Sequence, residues 1–122
     1  MSGKSILEII QLIPGKVIQN DFDLINEDME LKEQQLVLNE DMLQIEVNDQ
    51  LTFDVGWYSK PNGNGNFIVF IINDEDWENP IAKIRCKNLK TLKNAIEKIA
   101  RHIRRSFLRQ KTENYANKPF KI

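Results

Sequence analysis

The sequence predicts an α+β fold: a short N-terminal helix, an antiparallel β-meander of four to five strands, and a long C-terminal amphipathic helix packed on one sheet face. Three observations carry this. Apolar and polar residues alternate through positions 43–58. A Gly/Asn-rich loop at 60–66 leads directly into the apolar run Phe67-Ile68-Val69-Phe70-Ile71-Ile72. Apolar residues then recur at helical spacing from Leu92 to Phe107.

The elements follow in order. Ser5 and Glu8 have the spacing of a capping box, in which the hydroxyl accepts a first-turn amide and the carboxylate reaches back to the cap. Ile6, Ile9, Ile10 and Ile13 continue at helical spacing until Pro14-Gly15, so residues 5–13 read as a helix, with a strand as the alternative because isoleucine is β-branched. Residues 16–33 interleave six carboxylates with Phe22, Leu24, Met29 and Leu31, and read either as an acidic loop dipping into the core or as a loop leading into a first strand. From residue 34 the strand signal is plain. Leu36-Val37-Leu38, the turn Asn39-Glu40-Asp41, the alternation of Leu43, Ile45 and Val47, and that of Leu51, Phe53, Val55 and Trp57 all suit antiparallel strands with one covered face. Asn62-Gly63 and Asn64-Gly65 suit the positive φ of a hairpin tip. The run 67–72, apolar on both faces, is expected to be the central strand, and Ile81–Cys86 the last one. Asn88 is the expected N-cap of the final helix. Its apolar stripe of Leu92, Ala95, Ile96, Ile99, Ala100, Ile103 and Phe107 opposes a basic face. The chain reads as one domain over 1–122, with 111–122 a tail.

The near-neutral net charge of −1 conceals a division. Residues 1–80 carry sixteen carboxylates and four lysines, for −12; residues 81–122 carry thirteen basic residues and two glutamates, for +11. Such asymmetry points to a charged partner or a charged internal contact. The single cysteine, Cys86, excludes an intramolecular disulfide framework and favours a reducing, cytoplasmic location. The apolar N-terminal stretch is broken by Glu8 and Gln11, and no run approaches a membrane span.

No catalytic, cofactor or metal site is expected. His102 stands among arginines on the polar side of the last helix, where a solvated histidine is the simpler account. Cys86 has no adjacent base and reads as a buried structural thiol. The serines lack a nucleophile-elbow setting. Gly63 and Gly65 lack the following helix that a phosphate cradle requires. Asp74, Asp76 and Glu78 have a calcium-like spacing, but neither the bend glycine nor the distal glutamate of a calcium loop accompanies them.

Two charged surfaces remain. Asp74-Glu75-Asp76-Trp77-Glu78 sets a large aromatic among four carboxylates, a combination suited to anchoring and steering a basic protein partner. The competing account has Trp77 folding back to cap the core, with the carboxylates serving solubility. Residues 21–33 form a second acidic candidate. The basic face, with Lys98, Arg101, Arg105 and Arg109, suits a solvated helix surface, an internal pairing with the acidic elements, or phosphate contacts. A pI of about 5.9 and the absence of interleaved aromatics weigh against nucleic acid.

Asp54-Val55-Gly56-Trp57-Tyr58, the Gly/Asn/Pro loop, Gly65-Asn66-Phe67 with its apolar strand, and Asp76-Trp77-Glu78-Asn79-Pro80 before a final helix together resemble small bacterial immunity proteins of contact-dependent growth inhibition systems. The resemblance covers about residues 51–100 and implies a non-enzymatic cytoplasmic antidote that binds and blocks a cognate toxin domain, often a nuclease. An acidic antidote surface suits the basic cleft of such a nuclease. The expected interface is Asp74, Glu75, Asp76, Trp77 and Glu78. The alternative is a nucleic-acid-binding or regulatory protein that uses the basic helix face.

Overall fold

A computed structural model of the chain describes the backbone of residues 3–62 and 64–117 and the side chains of those up to Phe107. Five strands form one antiparallel sheet in sequence order: β1 (Lys16–Asn20), β2 (Leu43–Glu46), β3 (Leu51–Ser59), β4 (Gly65–Asn73) and β5 (Ala82–Cys86). Two helices flank them, α1 (Ile6–Ile10) and α2 (Leu89–Asn117). The α+β architecture expected from the pattern is present. The longest strands, β3 and β4, have nine residues each, and β3 is the central one; β4, which holds the apolar run expected at the centre, lies between β3 and the edge strand β5.

Both helices begin where the capping chemistry places them. The Ser5 hydroxyl accepts the Glu8 amide at 3.2 Å, and the Glu8 carboxylate accepts the Ser5 amide in return. Asn88 Oδ1 accepts the Thr91 amide at 2.9 Å, and the Thr91 hydroxyl accepts the Asn88 amide. Each exchange satisfies donors that a helix start leaves unpaired. The α2 backbone runs through Asn117, past the point where a tail was expected to begin; residues 118–122, and Gly63 at the hairpin tip, lie outside the described residues.

The sheet has one face in the core. Because side chains alternate, the register Ile45↔Phe53, Val55↔Val69 and Trp57↔Phe67↔Cys86 aligns these residues on the same side. Leu92, Ile96, Ile99, Ala100 and Ile103 of α2 and Ile6, Ile9 and Ile10 of α1 close over them. Each fully buried isoleucine or leucine contributes about 1.5–3 kcal/mol, so an aspartate at Ile96 would undo the helix–sheet contact. Phe67 lies at the centre, edge-on to Trp57 with ring centroids 4.9 Å apart and 5.8 Å from Phe22.

The acidic stretch before β2 is more ordered than the sequence suggests. Residues 16–20 form the edge strand β1, whose register with β2 shifts between Val17 and Gln19. Phe22–Leu24 and Leu31–Val37 are 3₁₀ turns, the second kinked at Gln34. Leu36-Val37-Leu38 is therefore not a strand: Leu38 is buried, while Leu36 is fully exposed at 102%. The carboxylate of Glu27 ties this segment to both helices. It accepts the Ile6 amide at 2.9 Å and pairs with Lys93 of α2. Burial opposes its charge, but the hydrogen bond from Lys93, that from Ile6 and the Lys93 charge together hold its pKa below the ordinary value.

Candidate functional site

The second sheet face carries the site. Residues pointing away from the helices include Gln44, Asp54, Gly56, Tyr58, Ile68, Phe70 and Ile72, by the same alternation. Ile68 and Ile72 are buried although both lie on this outer face, which is why the β4 run is apolar on both sides.

Two chain segments build walls on this face. The first is residues 39–42. The Trp57 amide donates to the Asn39 carbonyl at 2.7 Å, and the Met42 amide donates to the Val55 carbonyl at 3.1 Å. Glu40 and Asp41 are thus surplus residues in a bulge opposite Gly56. Only glycine admits this path, since a Cβ at position 56 would stand 2.1 Å from the Glu40 carbonyl oxygen. Asn39 Oδ1 accepts the Asp41 amide at 2.8 Å and tightens the bend. The second wall is the β4–β5 connection. Asp74 and Glu75 have φ of 53° and 60°, and the Asp76 amide donates to the Asn73 carbonyl at 3.1 Å, which defines a type I′ turn. Asp76 also accepts from the Asn79 side-chain amide at 3.2 Å.

Between the walls lies a cleft of about 390 Å³ lined by Gln19, Glu40, Asp41, Leu43, Gln44, Asp54, Tyr58, Phe70 and Trp77. Trp77 is 48% exposed. The account in which it caps the helix-side core does not hold, because it stands over the opposite face. Tyr58 and Phe70 meet edge-on, with centroids 6.2 Å apart. Asp54 is only 9% exposed, and no described residue donates a hydrogen bond to its carboxylate or pairs with it. Burial first, and then the negative charge of Asp41, push its pKa up to about 6. Burial likewise raises the Tyr58 phenol, helped by Asp54, Glu40 and Asp41. The resident cation Lys83 lies 5.8 Å over the Phe70 ring and forms no ion pair with these acids.

Of the five turn residues singled out from sequence, only Trp77 lines the cleft; Asp74, Glu75, Asp76 and Glu78 are exposed outside its lining, and Glu75 opens onto a separate pocket with Glu46 and Thr52. Glu40, Asp41 and Asp54 escaped the sequence reading, since a turn acid and a polar residue in an alternating strand carry no special mark. The basic candidates Lys98, Arg101 and Arg105 are exposed on α2, on the helix side of the sheet, and His102 is exposed beside them. The Arg109 side chain lies outside the described residues. Arg104 Nε donates to the Leu12 carbonyl at 3.1 Å. The sheet therefore separates the basic helix from the acidic cleft. The one ion pair among the described residues is Lys93–Glu27. Cys86 is buried, and burial raises its thiol pKa, as befits a structural cysteine. No helix among the described residues is long and apolar enough to cross a membrane.

No protein-family model matches the chain, and no curated protein or solved structure matches it.

Proposed function

We propose that this chain is a non-enzymatic immunity protein that binds and neutralises a cognate bacterial toxin domain, such as a nuclease, in the cytoplasm. The observation that carries this is the outer-face cleft: three carboxylates and a half-exposed tryptophan, with no cation of the described chain paired to them. Such a surface is built to meet something basic, and tryptophan is a frequent energetic anchor at interfaces. The Asp74–Glu78 turn that carries Trp77 adds four exposed carboxylates, although Glu75 opens onto a separate pocket beside Thr52 and Glu46. Leu24, Met29 and the fully exposed Leu36 give the 21–37 segment apolar surface for the same kind of contact. The resemblance over residues 51–100 points the same way.

The test is co-expression with a candidate toxin domain, identified as the partner that co-purifies from the native host. The wild-type chain is expected to restore growth, and Trp77→Ala combined with charge reversal at Asp74, Glu75, Asp76 and Glu78 to abolish protection. Full protection by that variant would remove the turn from the interface.

A second reading has one observation in its favour: Lys98, Arg101 and Arg105 are exposed and pair with no carboxylate among the described residues. A regulatory or nucleic-acid-binding protein would use them together with Arg109. Binding to duplex and single-stranded nucleic acid across a salt series decides it, because phosphate contacts make affinity fall steeply with salt.

A further inference from the structure

We propose that the outer-face cleft receives an arginine side chain of the protein partner, its guanidinium held by the Asp54 carboxylate and flanked by the Trp77 and Phe70 rings. This rests on reading the chain as a protein-binding module and names the group that the module recognises.

Asp54 carries the inference. It is nine-tenths buried yet has no hydrogen-bond donor among the described residues. Among the described residues, no fully enclosed side-chain oxygen or nitrogen lacks a partner. The free Asp54 oxygens therefore open into the cleft rather than into the protein. A carboxylate desolvated to this degree with no partner is costly to keep, and a donor arriving from outside would relieve that cost. The surroundings specify what kind of donor. Glu40 and Asp41 add negative charge from the bulge, so the ligand is cationic. Trp77 and Phe70 add π faces, which attract cations and suit a planar one best. Arginine combines charge, planarity and a fork of donors able to serve two carboxylate oxygens, whereas lysine offers a strongly hydrated point charge. A divalent metal fits poorly, because among the described residues no group of three or more potential ligands converges closely enough to hold one.

The pH dependence follows from the groups facing Asp54: Tyr58 on its own strand, Glu40 and Asp41 on the bulge, and Lys83 beyond Phe70 on β5, with Asp76 and Glu78 flanking Trp77 in its turn. Gln19 and Gln44, from β1 and β2, are neutral. With Asp54 ionising near 6, affinity for a guanidinium rises as pH climbs from about 5 to about 7.5.

The isotope-labelled full chain is titrated with acetyl-Gly-Arg-Gly-amide, with its lysine and citrulline counterparts, and with calcium chloride, while the amide signals of Asp54 and Tyr58 and the Trp77 indole signal are followed by NMR. The arginine peptide is expected to shift all three saturably. The citrulline peptide is expected to bind at least about tenfold more weakly, a difference of about 1.4 kcal/mol. Asp54→Asn should weaken the arginine peptide by a similar factor, Asp41→Asn by less, and Trp77→Ala by roughly two- to fivefold. Equal binding of the citrulline or lysine peptide, the same shifts produced by calcium, or unchanged affinity in Asp54→Asn would each overturn the assignment. Failure here with toxin protection intact removes the arginine pocket alone; arginine binding without any toxin neutralised removes the immunity function alone.

Discussion

Replacing Asp54 with asparagine is expected to make the free protein more stable at neutral pH. In the native state the carboxyl holds its proton up to about 6, against an ordinary value of 3.8. Folding must therefore either keep that proton or bury a charge, and native stability falls as pH rises from about 4 to about 6. Moving one proton equilibrium from 3.8 to about 6 corresponds to about 3 kcal/mol. Solvent at the open mouth of the cleft screens this to about 2 kcal/mol. Asparagine keeps the shape and removes the charge, though its amide still loses some hydration, so a net gain of about 1–2 kcal/mol at pH 7.5 is expected. At pH 4 the native carboxyl is already protonated, and the gain should shrink toward zero. Urea unfolding followed by tryptophan fluorescence at several pH values between 4 and 7.5 measures both quantities. A variant less stable than wild type at pH 7.5, or a difference that does not change with pH, would refute the reasoning. A stabilising substitution that also weakens arginine binding would mark Asp54 as kept for contact rather than for folding.

Three further outcomes follow from the two walls and from the Glu27 contact between the helices. Gly56→Ala forces the Asn39–Met42 segment away from β3 and strands the Trp57 amide, which should cost about 3 kcal/mol and lower the melting temperature by more than about 10 °C in a thermal scan. Glu75→Gly relieves a left-handed residue in the type I′ turn and should raise stability by about 0.5–1 kcal/mol in the same scan; a loss would mean that the Glu75 side chain makes a contact of its own. Glu27→Gln removes an anion held by Lys93 and the start of α1, and should lose about 1 kcal/mol at pH 7 in denaturant unfolding. Since the Glu27 pKa is lowered in the native state, that difference should disappear as the pH falls below the native value.

Most of the fold was legible, for reasons specific to each element. Helix α2 was visible because Leu92, Ile96, Ile99 and Ile103 commit one face to the core. Strands β3 and β4 were visible because each alternates or runs apolar between turn residues. Strand β1 was not, because Lys16–Asn20 is an exposed edge in which even Val17 and Ile18 face solvent. Leu36-Val37-Leu38 misled because three apolar neighbours look like a strand, whereas a 3₁₀ turn leaves only Leu38 inside. The site divides in the same way. Trp77 was conspicuous in sequence as an aromatic among acids, but its neighbours depend on strand register and a bulge. Asp54 reaches the cleft because β3 pairs with β4 opposite Phe70, and Glu40 and Asp41 arrive through a two-residue excess whose only sequence trace is Gly56.

That excess has a consequence for how such a molecule can change. Glu40 and Asp41 occupy no place in the strand register and contribute nothing to the helix-side core, while their backbone is fixed by the hydrogen bonds at Asn39 and Met42. Their side chains can be exchanged without shifting a strand or opening a cavity. The bulge thus works as a variable position on an invariant frame, where discrimination between rival partners can be retuned one side chain at a time without loss of foldability.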